Sequence, residues 1–308
     1  MAGLDRGLPF ALLAAFFGGT IPVAGAIALR VAEPWTLTAA RFAGAALVLL
    51  AVLVALGRAR SVVERARADA ATIGLAAVAL ATNYVTFLWG LDLVGPVAAQ
   101  ILFQTAGVFL ALWGALFFAE RWTTRRLAGF AAAVVGAAIV AWNGRSLGAF
   151  ATEASGLAGA LVIVLSALAW SGYALAQKRL GGAGSLPVLA LVLLSGAIMT
   201  GAGALVEGVA LAPGVETVAV LYLVLATVGL YGSLAVALAR GEAATVAATG
   251  TLSPAVTVVL TVALGLGGVS VHALAGGALV VAGVAVVALA PRAKPLAEPP
   301  RAVEVARR

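Results

Sequence analysis

Ten apolar stretches, each near the length of a bilayer-crossing helix, fill most of this 308-residue chain. They run over 8–29, 35–56, 70–91, 95–118, 126–142, 156–177, 186–206, 217–239, 243–266 and 271–290. A hydrocarbon core of about 30 Å needs roughly 20 helical residues, so most fit directly and 126–142 is the shortest. In lipid the backbone must satisfy its own N–H and C=O groups, which a continuous helix does. The expected fold class is therefore an all-α membrane protein of ten transmembrane helices.

Composition supports that class and closes off others. Charged residues make up 10% of the chain and hydrophobic residues 63%, where a soluble domain carries about a quarter charged. Glycine, present 37 times, lets membrane helices approach closely. There is no cysteine, which excludes disulfides, thiolate chemistry and cysteine-held metals; no metal and no cofactor is expected. The net charge of +7 does not point to nucleic acid, because the basic residues sit in short loops and a tail. Arg6 before an apolar run, with Ala24-Gly25-Ala26 after it, has the outline of a signal peptide. The run from Leu8 to Leu29 exceeds a signal core and has a counterpart later in the chain. It is expected to stay as the first helix.

Charge fixes the expected direction. With the N-terminus inside, sixteen lysines and arginines fall on inner segments, and only Arg30 and Arg145 on outer ones. The positive-inside rule then places residues 1–7 and the proline- and charge-rich tail 291–308 in the cytoplasm, the tail as a disordered basic segment. A bacterial-type inner membrane is the expected location.

The ten stretches also divide into two similar sets of five, 8–142 and 156–290. An odd number of crossings turns the second set upside down, an arrangement typical of membrane transporters built around a central cavity. Ala15-Phe16-Phe17-Gly18-Gly19-Thr20 in the first helix corresponds to Leu168-Ala169-Trp170-Ser171-Gly172-Tyr173 in the sixth. Phe103-Gln104-Thr105 in the fourth stands opposite Leu252-Ser253-Pro254 in the ninth. Gly129 and Gly136 in the fifth share their seven-residue spacing with Gly276 and Gly283 in the tenth, near one face of each helix for close packing.

Over residues 8–290 the chain resembles the EamA family of the drug/metabolite transporter superfamily. Arg41-Phe42, Glu120-Arg121, Ala169-Trp170 and Leu252-Ser253-Pro254 carry the likeness in order. The resemblance implies two five-helix repeats around a central cavity, alternating access, and usually export of small metabolites. Two positions depart from the family pattern. Thr105 stands where a proline is usual, so less of a kink is expected there, and Gly268-Val269 stand where a Gly-Glu pair is common.

Polar side chains inside a membrane are costly and each asks for an explanation. Gln100 and Gln104 share a face of the fourth helix, and Asn83 marks the third. Trp170 and Tyr173 lie on the sixth helix and Tyr231 on the eighth. The ninth carries Thr245, Thr249, Ser253 and Thr257 at steps of four. Asn83, Gln100, Gln104, Trp170, Tyr173, Tyr231, Thr249 and Ser253 are the candidate substrate-binding residues of a largely uncharged cavity. Serine and threonine in membrane helices also bond their own carbonyls or glue helices together, so the ninth-helix stripe serves either binding or packing.

Arg41 is the only full charge well inside a span. At six residues from Trp35 it lies about 9 Å along the helix, within snorkelling reach of the outer interface. Glu33 and Asp92 are the acidic residues available to it there, and a structural or gating charge is favoured for Arg41 and Asp92 over substrate-carboxylate binding. His272 suits an interfacial role. No aspartate or glutamate lies deep in any span, which favours facilitated diffusion or exchange; the alternative is a proton-coupled drug/metabolite antiporter. Ser270 and His272, two apart, point in different directions and make no hydrolase, and no filter-like loop marks a channel. Few buried cations argue against phosphorylated solutes. The expected partners are the bilayer and a small solute such as an amino acid, with a monomer or weak homodimer as the assembly.

Overall fold

A computed structural model describes residues 6–118, 123–142, 154–180, 186–207, 214–240, 249–250 and 252–289, and no strand occurs among them. The helices are α1 (Leu8–Ala28), α2 (Pro34–Ala55), α3 (Ala59–Ala68), α4 (Ala70–Phe103), α5 (Ala106–Phe118) and α6 (Thr124–Trp142). They continue with α7 (Ala154–Arg179), α8 (Leu186–Glu207), α9 (Val215–Arg240), α10 (Ser253–Ala263) and α11 (Val271–Leu289). Six helical runs among the described residues are long and apolar enough to cross a membrane: α1, α2, Ala70–Leu110, Gly156–Gln177, α8 and Val215–Ala237. Leu127–Val140, Ser253–Ala263 and Val271–Val286 are apolar but shorter. Glu120, Arg121, Arg145, Thr245 and the tail 291–308 lie outside the described residues.

The long run from Ala70 is two helices, not one. Gly95 sits at φ 78°, ψ 167° inside it, followed by Pro96. A left-handed φ suits glycine, and proline has no N–H to continue the helix before it. The chain folds back here, as the ring centroids of Phe87 and Phe103 lie only 5.4 Å apart. A straight helix would separate them by about 24 Å. The third and fourth apolar stretches therefore form a hairpin turning at Gly95-Pro96.

Two local features differ from the sequence expectation. The segment before α4 holds the short exposed helix α3, with Arg60–Glu64 and Arg65–Asp69 paired at 2.9 Å one turn apart. Such i, i+4 pairs support a surface helix modestly. The fourth stretch is interrupted at Gln104-Thr105 although position 105 is not a proline. Gln104 N–H donates to the Ile101 carbonyl and Thr105 N–H to that of Leu102, i to i−3 bonds that tighten the turn. The Thr105 hydroxyl also donates to the Leu102 carbonyl at 2.7 Å. A back-bonding threonine thus accompanies a break at a position where, without a proline, less of a kink was expected.

Four helix pairs build the bundle: α4 on α7, α1 on α9, α2 on α8 and α6 on α11. Smaller contacts join α1 to α10, α5 to α7, α4 to α8 and α9 to α2. The α6–α11 pair crosses backbone to backbone at its glycines. A Cβ on Gly136 would sit 2.6 Å from the Gly276 carbonyl oxygen, and one on Gly276 2.7 Å from that of Gly136. One on Gly283 would sit 2.5 Å from the Gly129 carbonyl oxygen. These two pairings fall in antiparallel order and need hydrogen in place of a side chain.

The buried apolar residues fall into two blocks. One includes Leu37, Leu88, Ile163 and Leu223; the other includes Phe42, Leu80, Leu193 and Tyr231. Along α2 the change of block comes between Leu37 and Phe42, where Arg41 lies. Along α9 it comes between Ala226 and Tyr231, where Thr227 lies. Buried polar groups therefore mark the junction of the two blocks. On the outside, Leu47, Leu75, Leu161, Ile198 and Leu205 are exposed, an apolar periphery suited to lipid.

Candidate functional site

The junction is built around Arg41, which is 1% exposed. Its Nε donates to the Thr227 hydroxyl on α9 and its Nη2 to the Tyr84 hydroxyl on α4 at 3.2 Å. The guanidinium carbon lies 4.1 Å from the centre of the Tyr84 ring, close enough for a cation–π contact. Thr227 in turn donates to the Leu223 carbonyl at 2.7 Å, so its one proton is committed. Phe42 meets Tyr84 edge-on at 5.1 Å and fixes the ring. The Nη1 of Arg41 is buried and has no hydrogen-bond partner among the described residues.

Arg41 therefore does not snorkel. It turns inward to Thr227 and Tyr84, and the expected carboxylate partners stay away: Glu33 and Asp92 are both exposed. The physical reason is that α2 presents this position to α4 and α9, whose hydroxyls accept the guanidinium inside the bundle.

Tyr231 and Tyr173 extend the polar layer. The Tyr231 and Tyr84 hydroxyls stand 3.4 Å apart. The Tyr173 ring meets Tyr231 edge-on at 5.9 Å, and its hydroxyl accepts from Gln177 Nε2 at 2.8 Å. Trp170 is half-buried and packs edge-on against Phe103 at 6.1 Å. Beside it, Gln104 is half-buried at the helix break, and Gln100 is buried one turn earlier. Neither glutamine amide makes a hydrogen bond to a described residue.

Other expected binding residues have structural partners. Asn83 Nδ2 donates to the Ser166 carbonyl at 3.1 Å and hydroxyl at 2.8 Å, and the Ser166 hydroxyl donates to the Asn83 carbonyl at 2.9 Å. This reciprocal clasp joins α4 to α7 and leaves only Oδ1 of the side chain uncommitted. The Ser253 hydroxyl donates to the Ala15 carbonyl at 3.0 Å, and that of Thr257 to the Gly19 carbonyl at 2.7 Å. Both atoms tie α10 to α1, running parallel, so the ninth-helix stripe at these positions is helix glue. A Cβ on Gly19 would lie 2.5 Å from the Ser253 carbonyl, which shows how near the backbones come. Thr249 is buried, and its carbonyl accepts from Leu252 N–H. His272 stacks edge-on with Trp142 at 5.3 Å, away from the Arg41 cluster.

Three further contributors did not stand out in the sequence. Tyr84, next to Asn83, carries the guanidinium; an aromatic hydroxyl at the depth of a buried arginine was the only signal. Thr227 looked like any membrane threonine. Glu207, at the end of α8, accepts Trp35 N–H at 3.2 Å, Thr36 N–H at 2.9 Å and the Thr36 hydroxyl at 3.1 Å. Its carboxylate caps the start of α2, where helix N–H groups lack partners and the dipole favours negative charge.

A bundle of apolar helices with a lipid-suited periphery and a buried polar layer is the architecture of an integral membrane protein. The chain belongs to the EamA-like transporter family, whose family model matches residues 5–142 and again 157–289. A relative from Haemophilus influenzae, described as an uncharacterized transporter, is 29% identical over 253 residues, covering 82% of each chain. A solved crystal structure aligns with a TM-score of 0.66 at 22% identity, covering 92% of this chain and 96% of the other, which shows a shared fold.

Proposed function

We propose that the protein is a carrier of small polar or amphipathic metabolites, such as amino acids, working by alternating access between two inverted five-helix repeats, 8–142 and 156–290. One observation supports this most. Exchanging the two sets of five helices turns the α4–α7 pair into α9–α1, turns the α1–α10 contact into α7–α5, and maps α2–α8 and α6–α11 onto themselves. The α6–α11 and α2–α8 pairs are antiparallel, as their glycine contacts run in opposite directions along the two chains. Equivalent helices that run oppositely are what inversion produces. The binding layer between the repeats comprises Gln100, Gln104, Trp170, Tyr173 and Tyr231, with Thr249 and the free Oδ1 of Asn83 at its edge.

Export from the cytoplasm across a bacterial inner membrane, by facilitated diffusion or exchange, fits the absence of acidic residues deep in the spans. Counterflow in liposomes tests the proposal. Preloaded unlabelled solute should drive transient accumulation of labelled solute, and Gln104→Ala should raise KM about three- to tenfold, since it removes an amide free to bond a solute. A flux that never saturates and shows no counterflow indicates a pore and defeats the proposal. Sustained uphill accumulation under an imposed pH gradient would indicate proton coupling instead.

A further inference from the structure

We propose that Arg41, with the hydroxyls of Tyr84 and Tyr231, binds the carboxylate of a small organic anion or zwitterion. This rests on the carrier reading above and names the solute chemistry its polar layer recognises.

The case begins with charge. Arg41 is 1% exposed, makes no ion pair, and is the single cation of the buried layer among the described residues. A buried charge is normally paired, because the interior returns too little of what is lost with water. The Tyr84 ring recovers part of that cost through its π-face, and the two hydroxyl contacts recover more. Neither supplies negative charge.

Donor counting points the same way. A guanidinium has five N–H groups in a planar fork. Nε donates to Thr227 and one Nη2 hydrogen goes to Tyr84. Both Nη1 hydrogens are buried without an acceptor among the described residues. Tyr84, already accepting from Nη2, and Tyr231 share a hydrogen bond at 3.4 Å between their hydroxyls, which uses one of their two protons and leaves the other to give. The cluster therefore carries an excess of donors and of positive charge. The group that completes it is an acceptor with a full negative charge and two adjacent oxygens, which a planar fork grips in parallel. A carboxylate matches. A phosphoryl group would bring more charge than one guanidinium offsets. The ring faces of Tyr84, Tyr231 and Tyr173 leave the rest of such a solute in largely apolar surroundings.

The test uses full-length protein in detergent and thermal melting with shape-matched probes: isovalerate against isovaleramide, and L-leucine against L-leucinamide. Each carboxylate should raise the melting temperature saturably while its amide does not, as ligand binding to the folded state requires. Arg41→Gln should weaken carboxylate binding by about tenfold or more, the scale of a charged hydrogen bond. Tyr231→Phe keeps the arginine and removes one donor, and should weaken it a few-fold; it decides the matter if Arg41→Gln does not fold. Equal responses to acid and amide, no response to either carboxylate, sodium chloride alone giving the full shift, or unchanged affinity in Tyr231→Phe each overturn the assignment. Counterflow separates the two proposals. Saturable transport that treats acids and amides alike removes the carboxylate site and leaves the carrier. Carboxylate binding without counterflow does the reverse.

Discussion

Asn83 and Gln104 are both large amides in apolar helices, yet the structure uses them differently. The Asn83 amide is tied to Ser166 through two donated bonds, whereas Gln104 has no described partner. Asn83→Ala should therefore lower stability by about 0.5–2 kcal/mol, the range measured for hydrogen bonds between membrane helices, and raise KM less than Gln104→Ala does, since only its Oδ1 is left to meet a solute at the edge of the layer. Chemical denaturation in detergent alongside liposome kinetics checks both halves of that statement. The sequence made it clear that each amide needed a partner, because an unbonded one is costly in lipid. It could not say which, since the Ser166 contact spans 83 positions and depends on which faces of α4 and α7 meet. Arg41 was legible in the same limited way. Its charge and depth were plain, but a snorkelling side chain and one turned inward to Thr227 and Tyr84 look identical in a string of letters.

Helices were far more readable than their partners, for a simple reason. A membrane span is announced by twenty-odd apolar residues, and its ends follow to within a few positions. The turn between the third and fourth stretches was read at 92–94, just ahead of Gly95-Pro96, and the glycine spacing of α6 and α11 was visible too, because glycine acts through local geometry. Helix α3 was hidden by its charge, and the break at Gln104-Thr105 by the lack of a proline. Two elements give direct tests. Gly136→Val forces a side chain toward the Gly276 carbonyl oxygen and the Val280 amide nitrogen, which lie 2.6 and 2.7 Å from where its Cβ would stand. It should cost about 1–3 kcal/mol or more, seen as a lower denaturation midpoint in detergent. Glu207→Gln keeps an acceptor near α2 but removes the charge that meets its N-terminus. A loss of about 1 kcal/mol follows from the usual strength of such charge–helix contacts, measurable in the same assay, and Glu207→Ala should lose more.

At the scale of the whole molecule, direction came from counting charges along the chain, and pairing comes from contacts between helices. The two can be tested together because the chain has no cysteine, so any introduced thiol is unique. Ala68→Cys, exposed at the end of α3, and Val271→Cys, 70% exposed at the start of α11, should react with a membrane-impermeant maleimide from opposite sides. In intact cells only Val271→Cys should label; in inside-out vesicles, only Ala68→Cys. Labelling of both from one side would remove the inverted arrangement. The pairing itself was out of reach of the sequence, since the seven-residue glycine spacing in 126–142 and 271–290 showed a packing face without naming its occupant.

The α6–α11 crossing has a mechanical consequence. Its two backbones interlock at Gly136 with Gly276 and at Gly129 with Gly283, like two teeth of a rack engaged at once. Sliding either helix by a fraction of a turn drives a carbonyl into a neighbouring backbone at one tooth or the other. The pair should tilt as one piece and resist shear. Any rocking of the remaining helices about the polar layer then has a fixed axle at this end of the bundle, and the freedom to move lies with the helices that cross on side chains.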